Sequence, residues 1–272
     1  MTSPLQSFDL YIEPSPRQVR VRVGETFIAT TRSALLVHER ERLPVYYFPL
    51  ESVESSWLEP STHKSECARK GVASYWHLVV GDRRVENAVW RYSEPTTDAG
   101  RALEHYYAFE WKAVDAWYEE EEPLFLHPHA RDPYKRVDAI NSSRHVRVLI
   151  GDQVVAESRN TVAVFETGLP TRYYFPLQDV AAKWLRPSTT LTSCPYKGQA
   201  HYWSVQAGDT LHKDVVWYYP TPIPEIPKIA GLLAFYQERV TRFEVDGVAV
   251  SDEPWHRSVL DFFNHGTFYS LR

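Results

Sequence analysis

The chain has 272 residues, enough for two domains that each fill a core, and its 43% hydrophobic and 24% charged residues are the proportions of a globular protein. A formal charge of -5, with 30 Lys and Arg mixed among 35 Asp and Glu, excludes the clustered basic field of a nucleic-acid-binding surface, and no run of about 18 apolar residues offers a membrane span. The 9 Trp, 17 Tyr and 19 Pro, against 11 Gly, favour strands and extended connections over helices.

At the start of the chain, residues 1–16 lack the basic, apolar and cleavage-site regions of a signal sequence. From there the chain is written twice. Residues 17–76 align with residues 144–203 without a gap, and 26 of the 60 positions are identical. The match continues through Gly81-Asp82 with Gly208-Asp209 and Trp90 with Trp217; after the loss of one residue, Ala108-Phe109 matches Ala234-Phe235. So long a period marks a duplicated domain rather than a solenoid repeat, because each copy can fill its own core. The expected organisation is a first repeat over 1–122, a connection over 123–143, a second repeat over 144–250 and a docking tail over 251–272 that carries Trp255, Phe262, Phe263, Phe268 and Tyr269.

Each copy opens with alternation at period two: Val19, Val21 and Val23 around Arg20 and Arg22, and Val146, Val148 and Ile150 around Arg147 and Leu149. One apolar face at that period predicts a half-buried strand. Gly24-Glu25 and Gly151-Asp152 turn the chain into partner strands over 27–31 and 154–158. A third strand is expected over 34–38 and 161–165. A fourth falls at Tyr46-Tyr47-Phe48 and Tyr173-Tyr174-Phe175, ended by Pro49 and Pro176, which have no N–H for a ladder. Beyond Cys67 and Cys194 comes the clearest hairpin, 71–80 with 83–92 and 198–207 with 210–219, around a Gly-Asp turn that needs positive φ at its first position. That turn places Ala73 opposite Trp90 and Ala200 opposite Trp217, a small residue beside a large one. Short helices are expected over 98–106 and 227–233. A last hairpin, 108–111 with 114–118 and 234–237 with 241–245, closes each copy. The 123–143 connection is too long for an ordinary loop, so part of it is expected to lie between the domains or to pair with the strand that follows. The fold class is mainly β: two tandem homologous small domains of antiparallel sheet with few short helices.

The two cysteines fall at equivalent places in separate domains, so no disulfide is expected between them and a reducing, cytoplasmic setting is.

Three stretches carry a resemblance: Ser142-Ser143-Arg144-His145-Val146, the run from Phe165 through Glu166-Thr167-Gly168-Leu169-Pro170 to Thr171-Arg172-Tyr173-Tyr174, and Thr192-Ser193-Cys194-Pro195-Tyr196-Lys197-Gly198. With Arg131-Asp132-Pro133-Tyr134-Lys135-Arg136-Val137-Asp138 upstream, the chain resembles a bacterial and fungal family, the domain of unknown function 427, often found in two copies per chain. The resemblance implies a compact β-rich fold and no settled activity. The family also carries a nucleotidyltransferase-like label, which the residues here do not support: neither a Gly-Ser loop followed by Asp-x-Asp nor a Walker-type loop is present. A looser, fold-level similarity is to the small β-tent modules, some of which hold ligands in an aromatic cage. Their common four-cysteine zinc site cannot be built from two cysteines spread over two domains.

Among candidate chemical groups, Cys194 with Lys197 three residues on has the arrangement of an activated thiol, since a nearby ammonium favours the thiolate. The alternative is that Cys67 and Cys194 are small buried residues. Arg159 and Glu166, like their twins Arg32 and Glu39, either brace two strands as an ion pair or bind a ligand through the arginine fork. Copy two alone has Arg172 in place of Val45, Pro195-Tyr196 in place of Ala68-Arg69 and His145 in place of Gln18, so the functional pocket is expected there and copy one is expected to be degenerate. The expected role is binding of a small molecule in an aromatic-lined pocket of the second domain, with Cys194 and Lys197 as the catalytic candidates. The expected ligand-binding residues are Arg159, Glu166, Arg172, Tyr173, Tyr202 and Trp217. Two alternatives stay open: a cysteine-dependent enzyme acting on a small aromatic or amide-bearing substrate, and a structural or protein-interaction module. His127-x-His129 with Asp132, and His201 with His212, have weak metal-ligand spacing, and no metal is expected. The pattern leaves any cofactor unknown, implies no nucleic-acid or membrane partner, and does not encode the oligomeric state.

Overall fold

A computed structural model of the chain describes residues 9–40, 42–124 and 129–250. The chain divides into two compact units, one ending at Asp132 and one beginning at Pro133. The described strands of the first unit are β1 (Leu10–Pro14), β2 (Val19–Val23), β3 (Thr26–Thr31), β4 (Leu35–Glu39), β5 (Val45–Pro49), β6 (Leu58–Cys67), β7 (Gly71–Val80), β8 (Arg83–Pro95), β9 (Tyr106–Phe109), β10 (Ala116–Glu119) and β11 (Glu122–Pro123). Those of the second unit are β12 (Val137–Ser142), β13 (Val146–Ile150), β14 (Gln153–Ser158), β15 (Thr161–Glu166), β16 (Arg172–Phe175), β17 (Leu185–Cys194), β18 (Gly198–Ala207), β19 (Thr210–Tyr218), β20 (Leu233–Phe235), β21 (Arg242–Val245) and β22 (Val248–Ala249). The duplication therefore holds strand by strand.

Each unit is built from a large and a small antiparallel sheet. The orders are β1-β4-β5-β9-β8-β7-β6 and β11-β10-β2-β3 in the first, and β12-β15-β16-β20-β19-β18-β17 and β14-β13-β21-β22 in the second. Alternation decides the layers. Val19, Val21 and Val23 are buried and the arginines between them are not. The valines join Tyr46, Phe48, Val89 and Phe109 of the large sheet in one core cluster. Phe48 and Phe109 meet edge to face at 5.4 Å, the geometry that ring quadrupoles favour. Fully burying an apolar side chain contributes about 1.5–3 kcal/mol, so this inter-sheet layer is the main source of stability.

The large sheet also buries part of its outer face, where Tyr47, Ala73, Tyr92, Leu103 and Ala108 form a second cluster. Tyr174, Ala200, Tyr202, Trp217 and Tyr219 do the same in the second unit, beneath Ile226 and Ile229. Successive residues of a strand face opposite ways, so Tyr46 and Tyr173 point inward while Tyr47 and Tyr174 point outward.

Three features differ from the sequence-based expectation. Residues 108–118 and 234–245 are not closing hairpins. β9 lies in the large sheet beside β5 and β8, whereas β10 pairs with β2 in the small one, and β20 and β21 divide likewise. The crossing lets Phe109 and Trp117 close the core from both layers, with their rings 6.3 Å apart. Residues 137–142 of the connection form β12, an edge strand that pairs with β15 and not with the strand that follows it. The Gly-Asp turns do form, with φ of +58° at Gly81 and +55° at Gly208, yet Tyr75 and not Ala73 faces Trp90, and Tyr202 and not Ala200 faces Trp217. Bulges centred on Asn87 and Asp214, both at φ 52°, shift the register by two residues. A shift of two keeps every side chain on its expected face.

Helix is scarce. Helix α1 spans Asp98–Ala102 and is capped by Thr97, whose hydroxyl accepts from the Gly100 N–H; residues 227–229 make a single 3-10 turn. Among the described residues no helix is long and apolar enough to cross a membrane. The docking tail expected over 251–272 lies outside the described residues, as does His127.

Candidate functional site

The Cys-x-x-Lys-Gly segments sit where β6 turns into β7 and β17 into β18. Gly71 and Gly198 adopt φ of +106° and +111°, a conformation that side chains oppose. The turn carries the preceding lysine under the outer face of the large sheet. There Lys70 Nζ donates to Glu39 Oε2 over 2.5 Å, and Lys197 donates to Glu166. A second cation attends each carboxylate: Arg69 at 3.2 Å from Glu39 and Lys135 at 3.3 Å from Glu166. Tyr196 replaces Arg69 in the second unit and stacks beneath Lys135 at 5.3 Å. The exchange thus moves the source of one cation and leaves the arrangement intact.

Around these ion pairs lie aromatic side chains from successive strands. Trp217 donates its indole N–H to the Tyr174 hydroxyl at 3.1 Å, and Trp90 does so to Tyr47 at 3.4 Å. Tyr202 bonds Thr192 at 2.8 Å, as Tyr75 bonds Ser65 at 2.8 Å. Burial raises the Tyr174 phenol to about 12, against the opposing pull of Lys197. Burial also raises Tyr219, with Tyr174 adding to it, and raises Tyr47 and Tyr92. Burial alone would lower Lys197, but the negative potential of Cys194 and Glu166 outweighs it and the ammonium is held above its ordinary range. Burial alone would raise Glu39; the hydrogen bond and charge of Lys70 reverse the sign.

The structure thus brings Cys194, Lys197, Glu166, Tyr202 and Trp217 to one face. Arg172 joins them by standing 5.7 Å over the Trp217 ring, but its fork is occupied by Glu238 at 2.7 and 2.9 Å. Arg159 is exposed after β14, and the partners of Glu166 are the two lysines. The expected Arg159–Glu166 brace is therefore replaced by lysine pairing. Cys67 approaches Glu39 at 3.8 Å, and the first unit repeats the ion pair and both aromatic hydrogen bonds, so its polar cluster is intact. His145 bonds Glu157 at 2.7 Å and His201 packs against Tyr218, which places neither as a base for Cys194. Among the described residues no group of three or more His, Cys, Asp or Glu is placed to hold a metal ion.

Tyr173 belongs elsewhere. It lines a groove of about 390 Å³ on the inner side of β12, β15 and β16, together with Ile140, Ser142, Arg144, Ala163 and Phe165. Ile140 and Phe165 are 53% and 46% exposed. Arg144 Nη1 donates to the Tyr173 hydroxyl at 3.1 Å, and its Nε donates to Asp246 at 2.7 Å. The first unit differs at the corresponding place among the described residues. Leu36 replaces Ala163 and is buried, Ala130 is fully buried in the same core, and His38, the twin of Phe165, bonds Glu13 at 2.9 Å. Neither Ile140, in the segment expected to be a connection, nor Ala163, in a strand the sequence does predict, stands out by motif or spacing. The contrast between Ala163 and Leu36 in the aligned copies was the signal that could have found them.

No curated protein matches the chain. The family described as Domain of unknown function (DUF427) matches residues 11–120 and again residues 138–246, spans that coincide with the two repeated sheet pairs. The chain belongs to this DUF427 family and carries its domain twice in tandem.

Proposed function

We propose that the protein binds a small molecule and that the second unit does so in the groove beside Tyr173. The observation that carries this reading is the difference between the copies: one fold, with Leu36 buried in the first unit where the second has Ala163 lining a groove. Its volume of about 390 Å³ falls within the about 300–1,000 Å³ of small-molecule sites, and apolar walls with a few convergent polar groups are the usual composition of such sites. Ile140, Ala163 and Phe165 supply the walls; Arg144 and the Tyr173 hydroxyl supply the polar end.

The outer-face cluster supports this role structurally. Its lysines are engaged by carboxylates, its tryptophans by Tyr174 and Tyr47, and Tyr202 and Tyr75 by Thr192 and Ser65, so it fixes the strands from which Tyr173 projects inward. A ligand-observed NMR screen of small aromatic fragments tests the reading, with Ala163→Leu as the control because leucine stands at that position in the first unit. Fragment binding that Ala163→Leu abolishes is expected. Binding indifferent to that substitution, or none at millimolar fragment, overturns it.

A further inference from the structure

Two buried polar atoms beside the groove, Gln237 Oε1 and Thr161 Oγ1, have no hydrogen-bond partner among the described residues. Gln237 is 9% exposed and Thr161 1%. Buried polar groups are bonded almost without exception, and an unmade bond weakens the fold. Two such atoms on one side of one sheet therefore point to a partner that is not the chain itself.

Gln237 follows β20, which pairs with β16, and its Nε2 donates to the Thr171 carbonyl oxygen at 2.8 Å. Thr171 belongs to the groove wall. A carbonyl oxygen can only accept, so the amide nitrogen must face it and Oε1 is left to accept from elsewhere. Towards the start of β15, Thr161 pairs with Ser142, another residue of the wall, and shares a strand face with Ala163. The first unit has neither atom. Its counterparts are Trp111, which opens the matching 3-10 turn and stacks on Trp117 at 4.1 Å, and Ala34, which belongs to the apolar core. The second unit has thus exchanged two apolar residues for polar ones beside the groove that Ala163 lines.

Resting on the groove as the binding site, we infer that its ligand is an uncharged molecule with an apolar body and an N–H or O–H donor, and that Gln237 Oε1 accepts from that donor. The body lies along Ile140, Ala163 and Phe165. The charged groups nearby are already satisfied, Arg144 by Asp246 at 2.7 Å and Arg172 by Glu238 at 2.7 Å. A charged ligand would give up its hydration for a neutral amide oxygen, an exchange that buried charges do not tolerate. A neutral amide or alcohol loses less and gains a bond.

The test compares phenylacetamide with benzyl methyl ketone, in which a methyl group takes the place of the amide nitrogen and its hydrogens, by calorimetry on the full chain in wild type and Gln237→Met. Phenylacetamide is expected to bind about tenfold more tightly, the margin of a hydrogen bond to an acceptor otherwise left unpaired. Gln237→Met, of similar length, should bring the amide down to the affinity of the ketone and leave the ketone unchanged, whereas a merely structural role would lower both together. Circular dichroism reports the folding of the variant. If Gln237→Met does not fold, the wild-type comparison is read with the Gln237 side-chain amide resonances, which should move with phenylacetamide and not with the ketone. Equal binding of the two probes, or a preference that survives Gln237→Met, overturns the inference and leaves the groove reading standing. Binding of neither probe overturns the inference, and with an empty fragment screen it overturns the groove reading as well.

Discussion

Lys70 Nζ stands 2.5 Å from the Glu39 carboxylate, with both side chains 6% exposed, and Lys197 repeats the contact on Glu166. Removing one member of a buried pair leaves an uncompensated charge and costs about 3–5 kcal/mol, whereas replacing both with apolar residues is often close to neutral. Lys197→Met is therefore expected to destabilise by about 3 kcal/mol or more. Lys70→Met should cost less, because Glu39 retains Arg69 at 3.2 Å and Arg42 at 3.8 Å, while Glu166 retains Lys135 at 3.3 Å. Urea midpoints measure both. A double substitution, Glu166→Leu with Lys197→Met, should recover most of the loss.

The same pairs set the limits of pH stability. Lys197 titrates above its ordinary 10.5 in the folded chain, so its ion pair contributes in full below that pH and loses its contribution as pH rises through the folded value. Tyr174 acts in the same direction, because its phenol stays neutral to about 12 in the fold and ionises near 10.0 when unfolded. Glu39 acts at the acid end: its folded value lies below 4.5, so its contribution is present above 4.5 and is lost as pH falls through the folded value. Thermal midpoints should be level from about pH 5 to 10 and decline on either side. Absorbance at alkaline pH should show a tyrosine fraction that ionises only as the chain unfolds.

Much of this fold is readable in the sequence because burial on one face imprints period two on a strand. Val19, Val21 and Val23 declare themselves, as does the repeat that places Cys67 with Cys194. Asn87 and Asp214 do not. Their left-handed backbone and the extra residues of the bulge leave the alternation of β8 and β19 undisturbed, so the pattern gives the face of Trp90 and misses its partner. β12 was hidden for another reason: Val-Asp-Ala-Ile-Asn-Ser at a sheet edge has one half-covered face and no clean alternation. The groove was hidden with it. Spacing brought Lys197 to Cys194, but the carboxylate that neutralises the lysine lies 31 residues away in sequence, a distance only the sheet order closes.

Arg172 separates the outer face from the groove. Its fork to Glu238, with side chains 20% and 44% exposed, and its stacking on the buried Trp217 ring are partly solvated contacts, worth about 1 kcal/mol each. Arg172→Ala should lower stability by about that amount and leave fragment binding in the groove unchanged, because the arginine points outward from β16 while Tyr173 points inward. Titration calorimetry beside a urea curve checks both halves of the expectation.

The turn that places the lysines is under unequal constraint in the two units. A Cβ on Gly71 would stand 2.4 Å from the Glu94 carbonyl oxygen and 2.7 Å from the Thr96 nitrogen, both backbone atoms; on Gly198 the nearest atom, the Thr221 carbonyl oxygen, would be 3.2 Å away. Both positions also need the positive φ that alanine resists, a strain of about 1–3 kcal/mol. Gly198→Ala should therefore cost about that strain plus a small shift of the Thr221 backbone. Gly71→Ala must in addition push β8 or α1 away, because Gly100 of α1 already lies against the Lys70 carbonyl with no room for a side chain. The larger loss is expected for Gly71→Ala, together with displacement of Lys70 from Glu39. Amide hydrogen exchange should show the residues around β7, β8 and α1 opening in that variant, and the corresponding strands of the second unit staying protected in Gly198→Ala.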